Sequence, residues 1–204
     1  MRNRGRPRIF EDDILLEAAF RAFSEHGYDA MSVRTVEAEL GLSNGAFNRR
    51  FGAKRELFVA AVTYCFTQML TAVAAEQSRR PPPADDLTGL REFIRAFLVV
   101  SSRHPEFGRL MNQEGLQRSD RLELIATLFI TPFAGVVGDQ LGQLAQAGTI
   151  RPISTRALFF LVAHGAEAPF TLIGLSSIFD DIDGPLDTET HIDQMVDFIL
   201  GAGR

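Results

Sequence analysis

The chain has 204 residues, 46% of them hydrophobic, with 21 Lys and Arg against 26 Asp and Glu for a net charge of −5. That length and composition exclude a disordered chain and suit one domain or two small ones with a real core. No uninterrupted apolar run reaches the roughly 18 residues of a membrane span. The Arg-rich N-terminus lacks the apolar stretch of a secretory signal, and the single Cys65 excludes an internal disulfide, so a cytoplasmic protein with no membrane partner is expected.

The charge is unevenly placed. Residues 1–60 carry ten Lys or Arg against nine Asp or Glu, and the rest of the chain eleven against seventeen. Arg2, Arg4, Arg6 and Arg8 begin it with no acid among them, and Ser43 to Arg55 hold four cations and no anion. An anionic partner for the N-terminal part follows naturally, with an ordinary solvated surface as the plain alternative.

In chain order, residues 12–26 place Ile14, Leu15, Ala18, Ala19, Ala22 and Phe23 on one helical face, with Gly27 as the stop. Ser32 is the expected N-cap of a short helix ending near Leu40, and Ser43 that of a second ending near Arg50. A long helix is expected from Ala53 to about Gln77, ended by the prolines of "RRPPPADD". Further helices are expected near 88–103, 105–114, 119–147, 154–176 and 188–202, with kinks at Pro132 and Pro169. Nothing alternates as a strand would, so the fold class is all-α, with about nine helices.

Two short helices joined at Gly41 after a longer helix make a helix-turn-helix. Val33, Val36, Leu40, Leu42, Ala46 and Phe47 supply its small core, which leaves Asn44, Gly45, Asn48 and Arg49 outward. A second helix so presented fits a DNA major groove. Arg can form two hydrogen bonds to guanine and Asn two to adenine, and Lys54, opening the next helix, suits phosphate.

Residues 13–62 resemble the N-terminal domain of TetR-family transcriptional regulators. The resemblance rests on Ala18-Ala19, Phe23, Gly27-Tyr28, Ser32, Gly41, Ser43, Phe51, Lys54 and Leu57, in order and spacing. It implies that Ser32, Arg34, Ser43, Asn44, Gly45, Asn48, Arg49, Arg50 and Lys54 face DNA. It also implies an N-terminal three-helix DNA-binding domain, residues 1–58, and a helical ligand-binding and dimerisation domain, 59–204. The whole is then a dimeric regulator, most simply a repressor, released from a palindromic operator by a small effector. Three positions depart from the family pattern: Asn48 stands where Tyr is usual, Arg50 where His is usual, and Glu37 where a small Ala packs tightly. Glu37 is left with turning outward or setting the helix pair slightly apart.

The "RGRPR" of residues 4–8 resembles an AT-hook, so Arg4, Arg6 and Arg8 are further DNA candidates, for an A·T minor groove or for nonspecific phosphate contact. The aromatic-rich C-terminal part resembles a TetR-type ligand-binding domain. An apolar or aromatic effector is expected there, with Phe66, Phe97, Met111, Asn112, Phe133, His164, Glu167 and Phe170 as candidate contacts. Each also has a plain reading as core or surface. The resemblance puts a homodimer contact on the helices near 154–176 and 188–202.

No cofactor, metal site or enzyme chemistry is expected. The chain lacks a Gly-rich phosphate loop, G-x-S-x-G and H-E-x-x-H, and its four histidines have no ligand spacing. "FDDIDGPLDTET" fails as a calcium loop, because its first and twelfth positions are Phe179 and Thr190. A helical protein-interaction adaptor is the remaining alternative, though it would not need the basic outward face.

Overall fold

The first helix, α1 (Asp12–Ala30), forms because its apolar residues recur on one face; Leu15, Leu16, Ala19, Phe20 and Phe23 are all buried. Asp12 and Asp13 in its first turn favour the positive end of the helix dipole. In this computed structural model, which describes residues 11–201, Gly27 interrupts α1 with φ 74°, a left-handed conformation that any side chain would strain. The helix thus stops at Gly27 as expected, and a short helical turn follows across the kink to Ala30.

The short helices α2 (Val33–Glu39) and α3 (Ala46–Phe51) follow, then α4 (Lys54–Gln77), which packs between α1 and α5 (Asp86–Arg103). Ser32 caps α2 as expected, its hydroxyl accepting from Thr35 N at 3.3 Å. Asp85 caps α5 by accepting from Thr88 N at 2.7 Å, which holds its carboxyl below the usual carboxylate range. α6 (Glu106–Glu114) lies against α1.

α7 (Asp120–Ile125) runs through a π-helical stretch, Ala126–Ile130, into α8 (Thr131–Gln146), so Asp120–Gln146 is one helix passing through Pro132. Pro132 sits in the first turn of α8, directly after the π stretch. The expected helix 154–176 divides instead. α9 (Thr155–Phe160) continues through a second π stretch, Leu161–Ala166, to α10 (Ala168–Thr171), and the chain breaks at Leu172, with φ −102° and ψ 52°. The bend there is 77°, three residues after Pro169. Beyond it lie α11 (Ile173–Ser176), a 3-10 turn, α12 (Asp180–Asp183) where an acidic loop was expected, and α13 (Thr188–Leu200).

Two apolar cores result. One joins α1 to α4 with Ala96, Val100, Phe107, Leu110 and Ile125, so packing runs continuously past residue 58. The other joins α5, α8, α9, α10 and α13 around Leu98, Leu141, Leu158, Ile192 and Leu200. Phe93 and Phe97 touch both.

The expectation drawn from uninterrupted apolar runs does not carry over to whole helices. By length and composition alone, Lys54–Gln77 and Asp120–Gln146 are both apolar enough to cross a membrane, and the bent pair 155–171 and 173–183 would qualify together. In α4 those residues are spent on the core, with Leu57, Phe58, Ala61, Val62, Phe66 and Val73 buried. Along 120–146 Leu128, Phe133 and Val136 remain exposed.

Candidate nucleic-acid interface

Phe47 anchors the second short helix. It is fully buried, with its ring centroid 6.0 Å from that of Phe51, in the same core as Val36 and Leu57. A six-residue helix cannot hold itself in water, so this anchor fixes α3 against α2 and α4 and leaves the opposite face outward. Asn44, Asn48, Arg49 and Arg50 are exposed, as are Ser32, Arg34 and Ser43. These exposed residues lie together on α2, α3 and the turn between them. Arg4, Arg6 and Arg8 lie outside the described residues.

The turn is built differently from the expectation. α3 starts at Ala46, with Gly45 at the N-cap position in a left-handed conformation of φ 75°, and Ser43 caps nothing. The capping acceptor is Glu37. Its Oε2 accepts from Gly45 N and its Oε1 from Phe47 N, each at 2.9 Å, and the residue is 1% exposed. Glu37 therefore does not turn outward. It reaches under the turn and satisfies two of the amides that a helix start leaves without intrahelical partners. Only its spacing, eight and ten residues before those amides, could have signalled this, and spacing across a turn does not say which way a side chain points.

Arg49 holds the same turn from outside. Its Nη1 donates to Asn44 O at 3.0 Å and its Nη2 to Ser43 Oγ at 2.7 Å. Arg50 pairs with Asp12 at the start of α1. Lys54 is less free than the sequence suggests. It donates to Asp29 O at 3.2 Å and lies 5.0 Å from the centre of the Tyr28 ring, which also receives the Arg121 guanidinium at 4.1 Å.

The candidate effector residues fall into several neighbourhoods. Phe66 packs in the first core against Phe107 and Phe129, with Met111 and Phe97 at its margin. Phe133 rests on Phe93 at 4.5 Å between ring centroids. Phe170 lies in the second core with its edge to His191. Asn112 and His164 meet across α6 and the second π stretch, Oδ1 to Nδ1 at 2.8 Å, and burial holds the His164 imidazole below its usual pKa. Glu167 is buried against Gly108 of α6 with its Oε1 unpartnered, and burial pushes its carboxyl up to about 7. Cys65 is buried and pushed up to about 12, first by that burial and then by Glu17, so it is an inert core thiol. Two open clefts lie elsewhere: one of about 310 Å³ among Arg80, Glu92, Arg95 and Glu189, and one of about 440 Å³ among Arg55, Val59, Leu124 and Leu128.

Residues 15–61 match the sequence pattern of the bacterial regulatory proteins of the tetR family. The HTH-type transcriptional repressor AcnR of Corynebacterium efficiens is 34% identical over 90 residues, 44% of this chain and 42% of AcnR, so the match spans less than half of that relative. Among solved structures, the TetR-family regulator PfmR of Thermus thermophilus aligns at TM-score 0.61 and 24% identity, over 96% of this chain and 98% of PfmR. The regulator FadR of Bacillus subtilis, solved with stearoyl-CoA, aligns at TM-score 0.67 and 13% identity, over 95% of this chain and all of FadR. Those two likenesses concern the fold; the tetR-family pattern concerns the sequence of residues 15–61, the segment that holds α2 and α3.

Proposed function

We propose that this protein is a DNA-binding transcriptional repressor that acts as a homodimer in the cytoplasm and is released from a palindromic operator by a small apolar or aromatic effector. The observation that carries the reading is the outward face of α3. Asn44, Asn48 and Arg49 stand exposed on a helix whose opposite face is locked by the buried Phe47. In the complex, Arg49 and the asparagines read base edges, while Ser32, Arg34, Ser43, Arg50 and Lys54 bind phosphate and set the register.

A two-fold dimer presents two such helices to successive major grooves about 34 Å apart, which is why the operator is palindromic. The apolar surface left uncovered on α9, α11 and α13 favours that dimer. Phe160, Ile173, Leu175 and Phe198 are all exposed in the single chain. The aromatic interior of the C-terminal half favours an apolar effector. Coupling to the DNA end is favoured by α6, which touches both halves. Gln113 Nε2 donates to Ser24 O of α1 at 3.0 Å, and Glu114 holds Arg121 against Tyr28. An effector that moves α6 or α4 changes the separation of the two α3 helices, a coupling on the order of 1–3 kcal/mol.

The test is binding of the purified protein to its promoter-proximal DNA at two salt concentrations against random-sequence competitor. Binding that survives competitor is expected. Binding confined to low salt, with no sequence preference, would remove the reading and favour the adaptor.

A further inference from the structure

The carboxylate beneath the recognition turn has no counterpart in a plain helix-turn-helix core. Glu37 is 1% exposed, and among the described residues its two carboxylate oxygens accept from backbone amides of the turn and of α3. The peptide unit joining Asn44 to Gly45 is gripped at both ends. Its N–H donates to Glu37 Oε2 at 2.9 Å, and its carbonyl accepts from Arg49 Nη1 at 3.0 Å. The plane of that peptide, and with it the anchor point of Arg49, is thus fixed by Glu37. The left-handed φ of 75° at Gly45 makes the arrangement possible without strain.

A second consequence is electrostatic. The amides at a helix start ordinarily bind phosphate, because they are unpaired and lie at the positive end of the helix. Here the Gly45 and Phe47 amides are already satisfied, and by a negative charge. A phosphate approaching that end finds no free donor at either position and a carboxylate behind them.

We propose that Glu37 is a specificity-determining positioning residue: it sets Arg49 through the Asn44–Gly45 peptide, and it withholds the start of α3 from the DNA backbone, so that base contacts carry a larger share of binding. The proposal rests on the DNA-binding reading above.

Three variants separate geometry from charge. Glu37→Gln keeps the reach, removes the charge and retains one of the two acceptors, since its amide nitrogen cannot accept. Glu37→Asp keeps the charge and loses the reach to both amides. Glu37→Ala loses both. The probes are a duplex selected by the wild-type protein from a random library and an unselected random duplex, each titrated over a range of salt. In Glu37→Gln, affinity for random duplex rises about three- to tenfold, the effect of one charge a few ångströms from phosphate at a partly screened surface, and the preference for the selected duplex narrows accordingly. In Glu37→Asp, affinity for the selected duplex falls while affinity for random duplex stays put. Glu37→Ala shows both changes.

Hydrogen exchange on the unliganded protein gives a readout that does not depend on DNA. The Gly45 and Phe47 amides are protected in the wild type and lose protection in Glu37→Ala, with helix content by circular dichroism reporting whether the domain stays folded. The proposal is overturned if Glu37→Gln keeps the wild-type preference and salt slope, or if those two amides exchange freely in the wild type. A wild-type protein that selects no sequence at all would instead overturn the DNA-binding reading, and this proposal with it.

Discussion

Replacing Glu167 by Gln should make the protein more stable at pH 8 and change little at pH 4.5. Glu167 is 3% exposed and its Oε1 has no protein partner, so burial disfavours the ionised form. Its pKa is pushed from 4.5 to about 7. The folded state thus holds the proton more tightly than the unfolded state. The stability this contributes is complete below the unfolded pKa, is lost as pH rises toward 7, and is absent above. At about 1.4 kcal/mol per pH unit the loss amounts to about 3 kcal/mol. Glutamine has nearly the same shape and stays neutral throughout, so the difference between variant and wild type isolates this group from every other carboxylate. At pH 8 the variant should gain up to about 3 kcal/mol, or roughly 6–12 °C in Tm for a chain of this size. At pH 4.5 the two should agree to within about 1 kcal/mol, the residual being the amide's own burial. Urea unfolding followed by circular dichroism at four pH values between 4.5 and 8 measures this. A difference that does not change with pH would refute the reasoning.

Four further outcomes are expected. Arg49→Ala should flatten sequence preference by about 1–3 kcal/mol at the base it reads, whereas Lys54→Ala should weaken all duplexes alike and lower the salt slope by about 0.9; equal losses across sequences in both variants would sink the division of roles. Phe47→Ala, at a fully buried ring, should cost about 3–5 kcal/mol by thermal or urea unfolding and abolish DNA binding with it. Phe198→Asp, at a ring that is 76% exposed in the single chain, should leave the fold intact and shift sedimentation toward monomer; an unchanged dimer would move the interface off α13. Cys65 should resist alkylation at neutral pH in the folded protein and react at once in denaturant, since its thiol is pushed up to about 12.

Much of this molecule was determined by sequence alone. Helical periodicity, with Ser32 and Gly27 as punctuation, fixed the all-α class and the start of the helix-turn-helix, because these are local properties of spacing and backbone preference. The same applies to the outward set Asn44, Asn48 and Arg49, which follows once Phe47 is taken as core. Local pattern failed where backbone and side chain meet across a turn. Ser43 had the right residue type for an N-cap, but a carboxylate from α2 had already satisfied the first amides of α3. Glu37, read as an awkward fit, became the cap, and only the crossing of the two helices brings it within reach of Gly45 and Phe47. The prolines tell the same story. Pro132 and Pro169 were expected to bend their helices, but each stands in the first turn of a helix that follows a π-helical stretch, and the 77° bend falls at Leu172, three residues past Pro169. Tertiary packing also decided what the apolar residues are for. Those of α4 fill a core between α1 and α5, while those of α11, and Phe198 of α13, stay exposed. Hydrophobicity is a property of each residue, but burial depends on which elements the fold brings alongside it.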